Sequence, residues 1–235
     1  MSESLPRAKQ VSQRVRQPTE VRRRLLVEAA REVIAQRGLF AVTVRDIAEA
    51  GGVSGGTVSY HFTGIEEILG EVLKDEMTSF YAPVLHAAGQ RSGAVEELRG
   101  LVDGFFSEEP RTVQHWHLWF DFWSLSAHDR DYAEWQRTTY RRWREDVVRI
   151  LTRGHRAGVF VIRDLDQTAT EFMVMFDGLA LRAYLPGAPV GPLQARADLW
   201  GWVEHNLLAP LAPSPPADSP TDATQPTHQT GTHQP

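Results

Sequence analysis

The chain has 235 residues, of which 42% are hydrophobic, and a formal net charge of −5, so it is long enough for a small domain followed by a larger one with a sizeable core. It contains no cysteine, which excludes disulfide bonds and thiolate metal sites and is typical of a cytoplasmic protein. No apolar run reaches the length of a membrane span and the N-terminus lacks the apolar part of a signal peptide, so neither a membrane partner nor export is predicted.

The charge is unevenly distributed, because the N-terminal end is basic whereas the rest of the chain is acidic. Residues 1–24 contain only two acidic residues, Glu3 and Glu20, against the basic residues Arg7, Lys9, Arg14, Arg16, Arg22, Arg23 and Arg24. Residues 1–18 show no apolar periodicity and predict a disordered basic arm. The asymmetry is typical of a DNA-binding unit attached to an acidic body.

A first long helix is followed by two short helical segments with glycines between them. Thr43 and Asp46 have the spacing of a capping box for the first short helix, and Ser54 is placed to cap the second. Gly51 and Gly52 lie at the corner, where a tight turn needs a residue with a positive φ angle. Two short helices crossed at such a turn predict a helix-turn-helix.

The second short helix is costly if only stability is considered. Gly55 and Gly56 occupy its first turn, where each costs about 1 kcal/mol relative to alanine. Glycine there allows the backbone to approach a DNA phosphate at the positive end of the helix dipole. The alternative is a poorly formed helix start in a buried corner.

The segment Val53–Phe62, with the sequence VSGGTVSYHF, resembles the recognition helix of the TetR family of transcriptional repressors. The resemblance extends from Ala29 to Leu73, and the pattern Ser59 with Tyr60-His61-Phe62 is similar to the branch typified by the choline-responsive repressor BetI. Many members carry a phosphate-contacting lysine three residues after the aromatic residue that ends this helix. Ile65 stands at that position here, so phosphate affinity is expected to come from elsewhere.

The resemblance implies a ligand-responsive repressor that binds palindromic operator DNA as a homodimer and is released by a small organic effector. It also implies a three-helix DNA-binding domain at residues 19–63 and a helical regulatory and dimerisation domain at residues 64–209. Together with the helix geometry it favours Gly55, Thr57, Ser59, Tyr60 and His61 as the groove-facing residues. Arg45, which is expected to contact phosphate or a base edge, and Ser54 complete the candidate DNA-binding residues.

The rest of the chain shows helical periodicity without strand-like alternation, so the predicted fold class is all-α. Thr63 and Glu66 predict a capping box at the start of the next helix, and Pro83 predicts its end or a kink. Residues 210–235 are rich in proline, threonine and glutamine and predict a disordered tail.

The segment His115–Trp123 is apolar on nearly every side, which is typical of a helix in the middle of a bundle. Core packing alone is one interpretation. A pocket for a cationic effector is the other, because Asp121 lies among tryptophans and cation–π and Coulomb attraction would act together. If an arginine neutralises Asp121, a neutral aromatic effector is favoured instead. The candidate ligand-binding residues are Trp116, Trp119, Phe120, Asp121, Trp123, Tyr140, Trp143, Phe176 and Asp177.

His115, His117 and Asp121 could also ligate a divalent cation, but no second helix supplies matching ligands, so neither a metal site nor a cofactor is predicted. No phosphate-binding loop or nucleophile motif is present in the sequence, and an enzyme is not expected. The alternatives to a repressor are a helical small-molecule-binding protein and a metal-dependent bundle enzyme.

The last two long helices carry more apolar surface than one small bundle is expected to bury, which favours a homodimer. The family resemblance implies a dimer interface formed by the same two helices. The candidate interface residues are Phe172, Met175, Leu179, Trp202 and Val203.

Overall fold

The computed structural model describes residues 19–208, and in that range the chain is built from helices. The ten α-helices are α1 (Thr19–Arg37), α2 (Val44–Ala50), α3 (Gly55–His61), α4 (Ile65–Glu76), α5 (Ala82–Gly89), α6 (Gly93–Phe105), α7 (Pro110–Ser126), α8 (Arg130–Arg156), α9 (Leu165–Tyr184) and α10 (Pro192–Asn206). The all-α prediction is therefore confirmed. The predicted arm at residues 1–18 and tail at 210–235 lie outside the described residues.

Helices α1–α3 form an N-terminal unit around one apolar face of each helix. Leu26 and Ile34 of α1 are buried against Ile47 of α2 and Val58 of α3. Both local start signals predicted from the sequence are present: the Thr43 capping box, and the Ser54 side chain, which accepts from the Thr57 N–H. The corner between the two short helices has its positive φ angle at Gly52, at 62°.

The start of α4 differs from the prediction. The Thr63 N–H and hydroxyl both donate to Glu67 Oε2, at 2.8 and 2.9 Å, and Glu66 is not the capping carboxylate. The reason is that Gly64, rather than Thr63, immediately precedes the helix. The carboxylate that accepts from the residues before the helix is therefore one position later than predicted. Hydrogen bonds from Thr63 and Arg23 lower the pKa of Glu67 to about 2.

The predicted break at Pro83 is accommodated without ending the helical path. A π-helical turn at Met77–Tyr81 connects α4 to α5, and Pro83 lies in the first turn of α5. The widened turn places Phe80 in the core, whereas Tyr81 is only partly buried.

The C-terminal bundle consists of α4–α10. Its helix α7 lies between the N-terminal unit and other helices of the bundle. It packs against α8 and α9 on one side and against α1 and the 3₁₀ turn at Leu39–Ala41 on the other. Trp116 and Phe122 are consequently 1% and 0% exposed. This central position explains why the segment is apolar on nearly every side. In the described part of the chain, no helix is long and apolar enough to cross a membrane.

Candidate functional site

The two faces of α3 have opposite characters. Val58 is 1% exposed and Phe62, directly after the helix, is 3% exposed, whereas Tyr60 on the other face is 77% exposed. Ser59 is exposed beside it. The apolar pair holds the helix on the N-terminal unit and leaves a polar, aromatic surface directed outward.

The glycines at the start of α3 are not required by packing. Both are exposed, and a Cβ atom on Gly55 would meet nothing within 4 Å, while one on Gly56 would meet only the Ser54 hydroxyl at 3.8 Å. Neither has a positive φ angle. The alternative of a helix start in a buried corner is therefore wrong, and the free space outside the backbone allows close approach of another molecule.

Arg23 fixes the far end of α3, a role that the sequence did not indicate. Its guanidinium donates to the His61 carbonyl and to Glu67 Oε1, and lies 4.2 Å from the centre of the Phe62 ring. Although the sequence groups Arg23 with the basic residues expected to attract DNA, its charge is already paired with Glu67 of α4. Ile65, which replaces the familial lysine, is half-buried and packs against the core.

The other groove-facing candidates lie close to these positions. Thr57 is partly buried with its hydroxyl 3.0 Å from that of Ser54, and Arg45 is exposed in the first turn of α2. The His61 ring is partly buried and meets the Tyr60 ring edge-on, with centroids 5.1 Å apart.

An aromatic cavity lies inside the C-terminal bundle. Its free interior volume is about 30 Å³, and the larger value of about 380 Å³ includes the open mouth. The interior as it stands has room for one or two water molecules, so a larger ligand requires the surrounding rings to move apart. The lining comes from the π-helical turn and helices α6–α9: Tyr81, Phe105, His115, Trp116, Trp119, Thr139, Tyr140, Trp143, Phe176 and Asp177. Six of the nine candidate ligand-binding residues line it, while Tyr81, Phe105, His115 and Thr139 were not among the candidates.

Asp121 was expected to face this cavity, and the structure contradicts that expectation. Its carboxylate Oδ2 accepts from the Leu39 N–H at 2.8 Å, on the side of α7 that meets the N-terminal unit. No arginine within residues 19–208 forms an ion pair with Asp121, and Asp121 does not line the cavity. Phe120 and Trp123 are likewise absent from the lining and pack against each other with ring centroids 5.6 Å apart.

Asp177 supplies the acid of the cavity instead. The Tyr140 hydroxyl donates to Asp177 Oδ2 at 2.6 Å. Burial raises the pKa of Asp177 to about 6, against the opposing effect of that hydrogen bond. Because no arginine or lysine among the described residues forms a salt bridge with it, its negative charge is balanced by no protein cation.

The ring planes around Asp177 surround the cavity from several directions. Trp143 and Phe176 have centroids 5.1 Å apart, and Phe105 lies 5.8 Å from Trp143 and 5.4 Å from Phe176. Faces of aromatic rings carry partial negative charge, so they attract a cation that an unpaired carboxylate also attracts.

A second polar group reaches the cavity at His115. Its Nδ1 lies 2.8 Å from Glu76 Oε1, and Glu76 is fully buried and also held by two contacts from Arg111, each of 2.8 Å. Burial alone would raise the pKa of Glu76, but the hydrogen bonds from His115 and Arg111 outweigh it, so this pKa is lowered. Burial lowers the pKa of His115.

The side chains considered as metal ligands have separate partners. His115 contacts Glu76, His117 Nε2 lies 3.0 Å from the Tyr184 carbonyl oxygen, and Asp121 binds Leu39. Across residues 19–208, no three such side chains come together as a metal site.

The candidate dimer residues separate into two groups. Phe172 and Val203 are both 0% exposed, because helices of the same protomer cover them, whereas Leu179, 7% exposed, lines a surface groove. Met175 and Trp202 are partly buried and line a shallow groove on α9 and α10 with Val174, which is 67% exposed.

Comparison with known proteins agrees with this architecture. Residues 26–72 match the model of bacterial regulatory proteins of the tetR family, and residues 94–208 match that of the BetI-type transcriptional repressor C-terminal domain. The regulator BetI of Escherichia coli K12 is 30% identical over 191 residues, which cover 80% of this chain and 94% of that protein. BetI 1 of Chromohalobacter salexigens is 28% identical over 204 residues, covering 86% of this chain and 96% of that protein.

A solved structure has the same fold over the described range. A transcriptional regulator from Saccharomonospora viridis, in complex with choline, superimposes with a TM-score of 0.77 at 26% sequence identity, covering 82% of this chain and all of that one. The relatives and both family models are transcriptional regulators rather than enzymes. The chain therefore belongs to the TetR family, and it is a BetI-type transcriptional repressor that combines a DNA-binding helix-turn-helix with a small-molecule-binding helical domain.

Proposed function

We propose that this repressor binds its operator as a homodimer and is released when a quaternary ammonium compound occupies the aromatic cavity. The observation that carries the effector class is the Asp177 carboxylate, which lies among aromatic rings without a cationic partner in the part of the chain that the structure describes. Among residues 19–208, the donor to it is the Tyr140 hydroxyl. Burying a carboxylate in this way is unfavourable until a cation meets it.

Choline is the first compound to test. It is the ligand of the Saccharomonospora viridis neighbour, with which this chain shares 26% identity and the whole fold. Its trimethylammonium group is a cation without hydrogen-bond donors, and aromatic faces with a nearby carboxylate are the surroundings that stabilise such a group.

The charge requirement is tested with a matched pair of ligands. Choline and 3,3-dimethylbutan-1-ol have the same shape, but the second compound has carbon in place of the ammonium nitrogen. We expect choline to bind about 30-fold more tightly, because a desolvated cation–π contact contributes about 2 kcal/mol. Calorimetric titration measures both affinities, and equal affinities would show that the cavity does not select for charge.

On the DNA side, we propose residues 19–63 as the DNA-binding domain and 64–209 as the regulatory domain. The exposed face of α3 would enter the major groove, with Tyr60, Ser59 and Thr57 toward base edges and Ser54 and Gly55 toward phosphate. Arg45 and His61 would contact the backbone from either side of α3. What supports this assignment is the exposure of that face and the free space beside the glycines.

The dimer is proposed to form through the outer faces of α9 and α10. Val174 is 67% exposed and Leu181 on the same helix is 42% exposed, and the neighbouring groove contains Met175 and Trp202. An exposed apolar face of this kind commonly marks an interface. Two copies joined here would carry two α3 helices to one palindromic operator.

Val174→Asp tests the dimer, because two buried carboxylates facing each other would destabilise a symmetric seam. Sedimentation should show a monomer with unchanged helical content, while Ser124→Asp, on an exposed position of α7, should leave the wild-type association state. If the Val174→Asp protein remained dimeric, the dimer interface would not include this face of α9.

A further inference from the structure

The imidazole of His115 is enclosed by aromatic rings. It is 3% exposed and stacks on Phe80, with centroids 4.1 Å apart, and on Trp119, with centroids 5.8 Å apart. Because stacked neighbours cover the faces of the ring, its polar contacts are made through the edge. His115 nevertheless belongs to the lining of the effector cavity.

Glu76 determines which ring nitrogen carries the proton. Two contacts of 2.8 Å from Arg111 hold its carboxylate, and the pKa of Glu76 is lowered by the hydrogen bonds of His115 and Arg111 despite its burial. An ionised carboxylate only accepts hydrogen bonds. The His115 Nδ1, 2.8 Å away, must therefore be the donor.

The other ring nitrogen is left as an acceptor. Burial lowers the pKa of His115, so the ring is neutral, and a neutral imidazole with its proton on Nδ1 has a lone pair on Nε2. In residues 19–208 the hydrogen bond of this side chain is made through Nδ1. The Nε2 lone pair accordingly has no donor within the described protein.

We propose that His115 Nε2 accepts a hydrogen bond from the hydroxyl group of the effector, which makes the cavity selective for a quaternary ammonium alcohol. This inference rests on the proposed function, in which the cationic group of the ligand contacts Asp177. It adds a binding partner for the hydroxyl group of the same ligand. A cation of the same shape without the hydroxyl would leave the Nε2 acceptor buried and unpaired. Sites built to pair a ligand hydroxyl discriminate against analogues that lack it.

The test compares choline with trimethylpropylammonium, in which a methyl group replaces the hydroxyl. We expect choline to bind the wild-type dimer roughly tenfold more tightly, since an unpaired buried acceptor costs about 1–3 kcal/mol. Equal binding of the two cations would overturn the inference and leave the proposed cation site standing. Binding of neither cation would overturn both.

His115→Phe removes the acceptor and keeps a ring that can stack on Phe80 and Trp119. Glu76 retains both contacts with Arg111, so the buried carboxylate stays paired. We expect the preference for choline to disappear, because trimethylpropylammonium no longer leaves a buried acceptor unpaired in this variant. The matched control is His117→Phe on the same helix, because His117 already pairs with the Tyr184 carbonyl and its loss should leave the preference intact.

A measurement on the wild-type protein decides the question if His115→Phe does not fold. In ¹⁵N spectra of imidazole side chains, we expect His115 Nε2 to resonate as an unprotonated nitrogen and to shift when choline is added, but not when trimethylpropylammonium is added. A protonated Nε2 in the free protein, or the same shift with both cations, would overturn the proposal.

Discussion

Helix α3 and the aromatic cavity are assembled in different ways. Apart from Arg45, every groove-facing candidate lies within residues 54–61, and local caps at Thr43 and Ser54 fix the two short helices. The cavity instead takes side chains from Tyr81 to Asp177, carried by the π-helical turn and four helices. One site is therefore a continuous segment held by local contacts, whereas the other exists only once the helices have packed.

The difference predicts that DNA binding and effector binding can be removed separately. Tyr60→Ala should have the largest effect, because a contact to a base or phosphate contributes roughly 1–3 kcal/mol per half-site and a symmetric dimer loses it twice. Tyr60 is 77% exposed, so the fold and the choline affinity should be unchanged. Fluorescence anisotropy with labelled operator measures the loss, with His128→Ala on an exposed loop as the control.

Normal operator binding by Tyr60→Ala would mean that α3 faces the groove through other residues. Weakened choline binding in the same variant would mean that the two regions are not separable.

Asp177→Asn addresses the cavity side. We expect a loss of choline affinity by about 30-fold, comparable with the loss of a desolvated charge contact of roughly 2 kcal/mol, and an operator affinity equal to wild type without ligand. Titration calorimetry and anisotropy measure the two. The exposed Asp198→Asn on α10 is the matched control, and unchanged choline affinity in Asp177→Asn would remove Asp177 from the site.

The same carboxylate predicts a pH dependence with a defined sign. Its pKa is about 6 in the folded protein and about 4 in an unfolded chain, so between these values the native state binds more protons than the unfolded state. Stability therefore falls as pH rises through this window, and the cost is complete above pH 6. Asp177→Asn should raise the free energy of unfolding at pH 7.5 by about 2 kcal/mol and by almost nothing at pH 4.

Choline binding should have the opposite pH trend to this stability. The cation needs an ionised Asp177, so choline affinity should decrease as pH falls below about 6, the pKa of Asp177. Calorimetry between pH 5 and 8 measures the trend. A flat profile would show that the cation does not meet this carboxylate.

Asp121→Ala is expected to have the smallest effect, and it concerns the connection between the two regions. Asp121 accepts from the Leu39 N–H on the 3₁₀ turn that leads into α2, and α7 also carries Trp116 and Trp119 into the cavity. Losing this contact should reduce the ratio of operator affinities without and with choline by a few-fold, as expected for a hydrogen bond of about 1–2 kcal/mol.

Asp121→Asn keeps an acceptor for the Leu39 N–H and should retain most of the response. Operator affinity and choline affinity measured separately should change little in both variants. An unchanged ratio in Asp121→Ala would show that this contact does not transmit the effect of the ligand.

The N-terminal unit could be predicted in detail because the sequence signals for its helices are local. The Thr43 capping box, the Ser54 cap and the inward Val58 and Phe62 all depend on residues within four positions of one another. The prediction failed for this unit where a contact joins residues far apart in the sequence. Arg23 reaches Glu67 across 44 residues, and nothing in the spacing of the basic cluster distinguishes it from Arg22 or Arg24.

The cavity could be predicted only as a set of aromatic helices. Asp121 comes two residues after Trp119, so it points to nearly the opposite side of α7, given about 100° per residue. Helical geometry therefore carried a signal against placing it in the cavity. Asp177 has its role because α9 packs beside α8, and Tyr81 because a π-helical turn precedes α5. Neither arrangement follows from local propensity.

The dimer interface was also only partly predictable from the sequence. Phe172 and Val203 have the apolar character of an interface, but they are buried between helices of one protomer. Apolar periodicity identifies the inward side of a helix without telling whether a neighbour in the same chain or a second copy covers it.

The most direct test measures operator binding as choline is added. Labelled operator bound to the wild-type protein at pH 7.5 should lose anisotropy as choline is titrated, and 3,3-dimethylbutan-1-ol at the same concentrations should release much less. Asp177→Asn should bind the operator equally well and stay bound in choline. Release of Asp177→Asn at the wild-type choline concentration, or no release of the wild type, would contradict a repressor governed by a cation in this cavity.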